Sequence, residues 1–162
     1  MGEIDAATAW IGLGSAQVTR ALAELDAIEG SYLLRSSSLY ASPPMGPPEQ
    51  PEYVNAVAGL LTTLTPEALL DTLQAIEQAH DRVRDGERWG PRTLDLDLLL
   101  YADRRIDTPR LTLPHPGLHQ RAFVLQPLAE IAPELVVPGR GPLQELLRAC
   151  PDDGLRCIGK AV

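Results

Sequence analysis

Apolar positions along this chain alternate between a strand-like period of two and a helical period of about 3.6. Residues 7–13 read as a short buried strand, after which Gly12, Gly14 and Ser15 turn the chain. Residues 18–28 place Ala21, Leu22, Leu25 and Ile28 on one face, which predicts an amphipathic helix. Strand character returns over 31–40 and again over 53–63. Between them, residues 42–51 contain five prolines. Proline fixes φ and removes an amide donor, so a stiffened surface loop is expected there. Thr65-Pro66-Glu67 combines a capping hydroxyl, a proline at the first helical position and an acid in the first turn. The helix it starts is expected to run to about residue 82, with Leu69, Leu70, Leu73 and Ile76 inward and Gln74, Glu77 and Asp81 on another face.

Residues 83–93 are charged and broken by Gly86 and Gly90-Pro91, the pattern of a loop. Residues 94–101 form the strongest strand signal. Alternation points Asp95 and Asp97 one way and Leu94, Leu96, Leu98 and Leu100 the other. From residue 98 both faces are apolar, so this strand is expected inside the sheet. Ile106 and residues 111–113 suggest a small hairpin. Residues 118–129 suggest a helix interrupted at Pro127, and a Gly139-Arg140-Gly141-Pro142 turn leads to a last helix over 143–149. The order β-α-β-β-α-β with C-terminal additions predicts an α+β fold, a ferredoxin-like sandwich of helices on an antiparallel sheet. One domain over 1–162 is expected, with 1–6 and 151–162 at its periphery.

Composition narrows the chemistry. The formal net charge is −8, and the hydrophobic share is 44% with 4% aromatic residues. An acidic chain poor in aromatics argues against a nucleic-acid binder or an RNA-reading sheet. No apolar run approaches a membrane span, and the first residues carry Glu3 and Asp5 rather than a secretory pattern, which points to the cytoplasm. Cys150 and Cys157 lack metal-ligand spacing and read as inert thiols. Thirteen of the fourteen basic residues are arginine, and Arg82, Arg84, Arg88 and Arg92 fall close together just before the Asp95/Asp97 strand. The guanidinium fork suits phosphate oxygens. Two neighbouring carboxylates resist desolvation unless a cation or a shared proton compensates them, and magnesium bridging to phosphates is the economical solution. Two solvated acids or arginine salt bridges would satisfy the same spacing. Arginines beside metal-binding acids are the apparatus of phosphoryl transfer.

The run Arg88-Trp89-Gly90-Pro91-Arg92-Thr93-Leu94-Asp95-Leu96-Asp97 resembles the signature of the 6-hydroxymethyl-7,8-dihydropterin pyrophosphokinase family. Tyr40-Ala41-Ser42-Pro43-Pro44-Met45-Gly46, continuing through Gln50, Tyr53 and Asn55, is similar to a second family motif. Leu113-Pro114-His115-Pro116, followed by Arg121, Phe123, Val124, Leu125, Pro127 and Leu128, is similar to a third. The resemblance implies the same fold, ATP as co-substrate and two Mg2+ ions held by Asp95 and Asp97. It implies transfer of pyrophosphate from ATP to the pterin hydroxymethyl group, releasing AMP, by a monomer acting on small molecules. Arg82 and Arg92 would join the two acids in catalysis. Gln74, Glu77, Arg84, Arg88, Trp89, Arg110, Thr112, His115 and Arg121 would bind ATP, with Trp89 in a lid. Gly14, Ser42, Pro43, Pro44, Met45, Tyr53, Asn55 and Phe123 would form the pterin pocket. The Gly14-Ser15-Ala16-Gln17 turn is shorter than the family's and lacks its asparagine, but it touches no metal or arginine position. Activity is expected to survive that change.

Overall fold

A computed structural model describes residues 6–14, 18–42, 53–83, 94–151 and 154–160. The first half of this α+β chain runs β1 (Ala7–Gly14), α1 (Val18–Asp26), β2 (Ser31–Ser36), β3 (Ser38–Ser42), β4 (Tyr53–Thr62), α2 (Pro66–Val83) and β5 (Asp95–Tyr101). Short hairpin strands β6 (Ile106–Asp107) and β7 (Thr112–Leu113) follow. A 3-10 turn (Leu118–Gln120) then leads to α3 (Ala122–Ile131), a β8 (Val136–Val137) and β9 (Gly141–Pro142) pair, α4 (Leu143–Ala149) and β10 (Arg156–Lys160). The main sheet is ordered β10-β3-β4-β1-β5, with β2 also on β4, and every pairing in it is antiparallel.

Alternation along these strands builds two cores. Ala9, Ile11, Leu13, Ala56, Ala58, Leu60, Leu94, Leu96 and Leu98 face α1 and α2, meeting Leu22, Leu25, Leu69 and Leu73. The opposite face carries Val57, Leu99 and Leu100 and is covered by α3 and α4 through Val124, Leu125, Leu128 and Leu143. A buried His80 on α2 pairs with Glu24 on α1, tying those two helices together. The α2 start is as expected: Thr65 Oγ1 accepts the Ala68 amide at 3.1 Å, and Pro66 opens the helix.

Several local expectations are corrected. The strand expected over 31–40 is two strands parted at Ser37, because the Ser37 hydroxyl takes a rung of the ladder. It accepts the Val57 amide at 2.9 Å and donates to the Ser38 carbonyl at 2.7 Å. Strand β5 lies at the end of the sheet rather than inside it. Its faces are apolar because helices cover both, and its alternation breaks at a bulge, where Trp10 pairs with Leu100 but Ile11 pairs with Leu98. Leu99 is the extra residue, so Leu100 joins Leu99 in the α3 core instead of following Leu98. The helix break falls at Arg121, which is extended (φ −120, ψ 106), and α3 continues through Pro127. That proline removes one amide bond, which the burial of Val124, Leu125 and Leu128 offsets. Residues 156–160 stay at the periphery but pair with β3 as the outermost strand of the main sheet, a strand that the sequence did not mark.

Ser37 is 1% exposed and Val57 is fully buried. Ser37→Ala leaves the Val57 amide unpaired and is expected to cost about 1–3 kcal/mol, read as a lower urea midpoint at unchanged slope.

Candidate active site

The register across β5, β1 and β4 brings the acids and the buried amide onto one face. Gly14 on β1 pairs with Asp95 on one side and Asn55 on the other, while Asn55 also pairs with Tyr40 on β3. Cross-strand partners point the same way, so Asp95, Gly14, Asn55 and Tyr40 form one row. One step along, Gly12 pairs with Asp97 and Val57. Strands lie about 4.8 Å apart, so about 10 Å separates the Asp95 and Asn55 backbones, with no side chain at Gly14 between them. Gly14 thus keeps side-chain bulk out of the space between Asp95 and Asn55, while the Leu99 side chain covers Gly12. Asn55 is only 3% exposed, whereas Asp95 and Asp97 are half-buried.

A cavity of about 380 Å³ runs along the outer edge of β5. Gln74 and Glu77 from α2, Asp95 and Asp97, Arg110 and Thr112 from the hairpin, and His115 line it. Glu77 Oε2 accepts the Leu96 amide at 2.7 Å, so this carboxylate also seals the edge of β5. The Leu99 carbonyl accepts the His115 amide at 2.9 Å, docking the 113–116 segment on the same edge. Leu70, expected on the inward face apart from Gln74 and Glu77, and Leu111, read from sequence only as part of a hairpin, also line the cavity. The available signal was spacing, since Leu70 precedes Gln74 and Glu77 by four and seven residues on α2.

His115 Nδ1 accepts the Gly117 amide at 3.1 Å, which puts the ring proton on Nε2. Burial pushes the His115 pKa down; Asp97 opposes this and Arg121 adds to it. Arg121 lies where two elements meet. Its Nη1 is 4.0 Å from Asp97 Oδ2, and its Cζ sits 5.7 Å from the centre of the Phe123 ring. Phe123 is 36% exposed on α3, not a core residue. Arg110 is held by Asp71 on α2.

The described candidates thus fall into two adjoining groups. Gln74, Glu77, Arg110, Thr112 and His115 gather in the cavity, and Gly14 and Asn55 lie on the glycine-floored face. Asp95 and Asp97 belong to both, and Arg121 joins Asp97 to Phe123. Ser42 ends β3, Tyr53 opens β4, and Arg82 is in the last turn of α2; their side chains lie outside the described residues. Pro43, Pro44, Met45, Arg84, Arg88, Trp89, Arg92 and the turn at 15–17 also lie outside them. No group of three His, Cys, Asp or Glu side chains placed to hold a metal occurs among the described residues. The acidic donor set is the Asp95/Asp97 pair. That suits magnesium, which takes one or two carboxylates and completes its shell with water and phosphate oxygens.

Because the folded His115 holds its proton less tightly than an unfolded histidine, its neutral form is favoured by folding. As pH falls through the unfolded value of 6.5, the unfolded chain protonates first and stability is lost. Ligand-free protein should therefore lose more stability between pH 7.5 and 5.0 than His115→Gln does, measured by urea unfolding.

A family model for 7,8-dihydro-6-hydroxymethylpterin-pyrophosphokinase (HPPK) matches residues 10–133. A 2-amino-4-hydroxy-6-hydroxymethyldihydropteridine pyrophosphokinase of Pseudomonas aeruginosa is 51% identical over 139 residues, covering 86% of this chain and 85% of that protein. The enzyme of the same name from Haemophilus influenzae is 47% identical over 151 residues, covering 90% and 94%. The match begins on β1, ends just beyond α3 and spans every element that carries a described site residue. The chain belongs to the 7,8-dihydro-6-hydroxymethylpterin-pyrophosphokinase family.

Proposed function

We propose that the cavity along β5 and the glycine-floored face beside it are the ATP and pterin halves of one active site. The chain transfers pyrophosphate from ATP to the hydroxymethyl group of 6-hydroxymethyl-7,8-dihydropterin, giving AMP and the pterin diphosphate in folate biosynthesis. The observation that carries the two-half reading is the position of Asp95 and Asp97. They line the cavity and also share a sheet face with Gly14 and Asn55. A pyrophosphate donor and its acceptor have to meet at such a boundary. The fold reading is the ferredoxin-like sandwich, supported by the strand order β3-β4-β1-β5 with α1 and α2 on one face.

In this reading Gln74, Glu77 and Thr112 bind the nucleoside, with Leu70 and Leu111 as an apolar wall for a purine ring. Arg82, Arg84, Arg88 and Arg92, with Arg110, hold the polyphosphate, and Trp89 closes over it. Neutral His115 donates from Nε2 to a phosphate oxygen. Arg82 and Arg92 offset charge on the transferred group, and Arg121 does so from its place beside Asp97. Asn55 reads the pterin edge with a carboxamide that both donates and accepts. Phe123 and Tyr53 take the two faces of the ring, and Gly14 with Ser42, Pro43, Pro44 and Met45 completes the pocket. Asp95 and Asp97 would hold two Mg2+ ions, which would supply polarisation of the phosphoryl group and a lowered pKa for the attacking hydroxyl. Catalysis is then chiefly alignment and charge neutralisation in a site closed to water. A monomer and a cytoplasmic location are part of the same reading. No described helix is long and apolar enough to cross a membrane.

The test is a reaction with ATP, Mg2+ and 6-hydroxymethyl-7,8-dihydropterin, with products separated by chromatography. AMP and pterin diphosphate should form in equal amounts and disappear with a chelator; ADP would overturn the assignment. Asp95→Ala and Asp97→Ala should each lower turnover by about a hundredfold or more at an unchanged melting temperature. Near-normal turnover in either variant would remove the two-metal reading.

A further inference from the structure

We propose that Glu130 is a positioning residue for the pterin half of the site. Glu130 lies in the last turn of α3, outside the cavity, yet its carboxylate gathers three donors from β3. The Ser38 amide reaches Oε1 and Oε2 at 3.0 and 3.1 Å, the Ser38 hydroxyl reaches Oε2 at 2.9 Å, and the Tyr40 hydroxyl reaches Oε1 at 2.7 Å. Burial alone would raise the Glu130 pKa, but the hydrogen bonds from Tyr40 and from Ser38 outweigh it and hold the carboxyl below its usual value. The charged form therefore persists at neutral pH, and charge-assisted bonds are the stronger kind.

Two walls of the pterin pocket depend on this anchor. Tyr40 is the cross-strand partner of Asn55, so fixing its hydroxyl fixes the ring beside the amide that reads the pterin edge. Phe123 precedes Glu130 by seven residues, which places both on one flank of α3, about 10.5 Å apart along its axis. The clamp thus sets where α3 sits over the sheet, and with it where Phe123 stands. The ATP cavity is built on β5, three strands away from β3 or about 14 Å. Loosening the clamp should disturb pterin binding far more than ATP binding, because the cavity-lining residues are off α3 and, among the described residues, only Arg121 at its start links the two. This inference rests on the two-half reading of the site.

The experiment measures KM for pterin and for ATP in Glu130→Ala, Glu130→Gln and Tyr40→Phe, with Asn55→Ala as a control. Misplacement of a binding wall predicts an increase in pterin KM of about tenfold in Glu130→Ala, with ATP KM within about twofold. Glu130→Gln keeps an acceptor oxygen and should recover most of the loss. Tyr40→Phe should raise pterin KM by itself and add little when combined with Glu130→Ala, because both break the same bond. Pterin and ATP KM rising together, or a lower melting temperature with both KM values unchanged, would make Glu130 merely structural and overturn the proposal. If Asn55→Ala leaves pterin KM unchanged, the site reading fails and this inference fails with it. A weakened Asn55→Ala beside an unaltered Glu130→Ala would sink the positioning role alone.

Discussion

Strand β1 hydrogen-bonds to β4 along one edge and to β5 along the other, and the positions of Asp95, Asp97 and Asn55 follow from those two registers. Side chains alternate, so a one-residue slip of β5 would carry Asp95 and Asp97 into the core under α2 and bring leucines to the polar face. The buried leucines on the other side hold the register against such a slip. Leu94, Leu96 and Leu98 are all nearly inaccessible, and each would lose its burial in the shifted pairing. The polar face therefore owes its geometry to apolar packing on the far side of the sheet. Gly14 contributes by placing no side chain between Asp95 and Asn55, whereas the space over Gly12 is taken by the Leu99 side chain.

The helices divide the work that follows. On one face α2 supplies Gln74 and Glu77 to the cavity while its apolar stripe closes the first core. On the other, α3 closes the second core and presents Arg121 and Phe123 at its start and Glu130 at its end. A continuous path of contacts runs from Asp97 through Arg121 and Phe123, along α3 to Glu130 and Tyr40, and back to Asn55. The bare glycine floor lies inside that circuit.

What could be read in the sequence was whatever depends on neighbours along the chain. Alternation put Asp95 and Asp97 on one face, and helical spacing put Gln74 with Glu77. What stayed hidden depends on partners distant in sequence. An apolar run covered on both faces looks the same in the middle of a sheet and at its end, so the edge position of β5 could not be read from its leucines. The bulge at Leu99 and the break at Ser37 arise from pairing with β1 and β4. Glu130 falls just past the helix expected over 118–129 with nothing local to mark it, and only the return of β3 beside it supplies its donors. Residues 156–160 alternate too weakly to announce a strand, and their place is set by the free side of β3.

The outer edge of β5 is where a sheet would ordinarily accept a foreign strand. Here the Leu96 amide is taken by Glu77 and the Leu99 carbonyl by the amide of His115, both residues that line the cavity. Residues that line the cavity thereby also blunt an adhesive rim. Genetic drift that erodes the cavity would then expose the chain to aggregation as well as to lost turnover. Selection for solubility alone would help preserve Glu77, and to that extent the persistence of a cavity-lining residue need not report on catalysis.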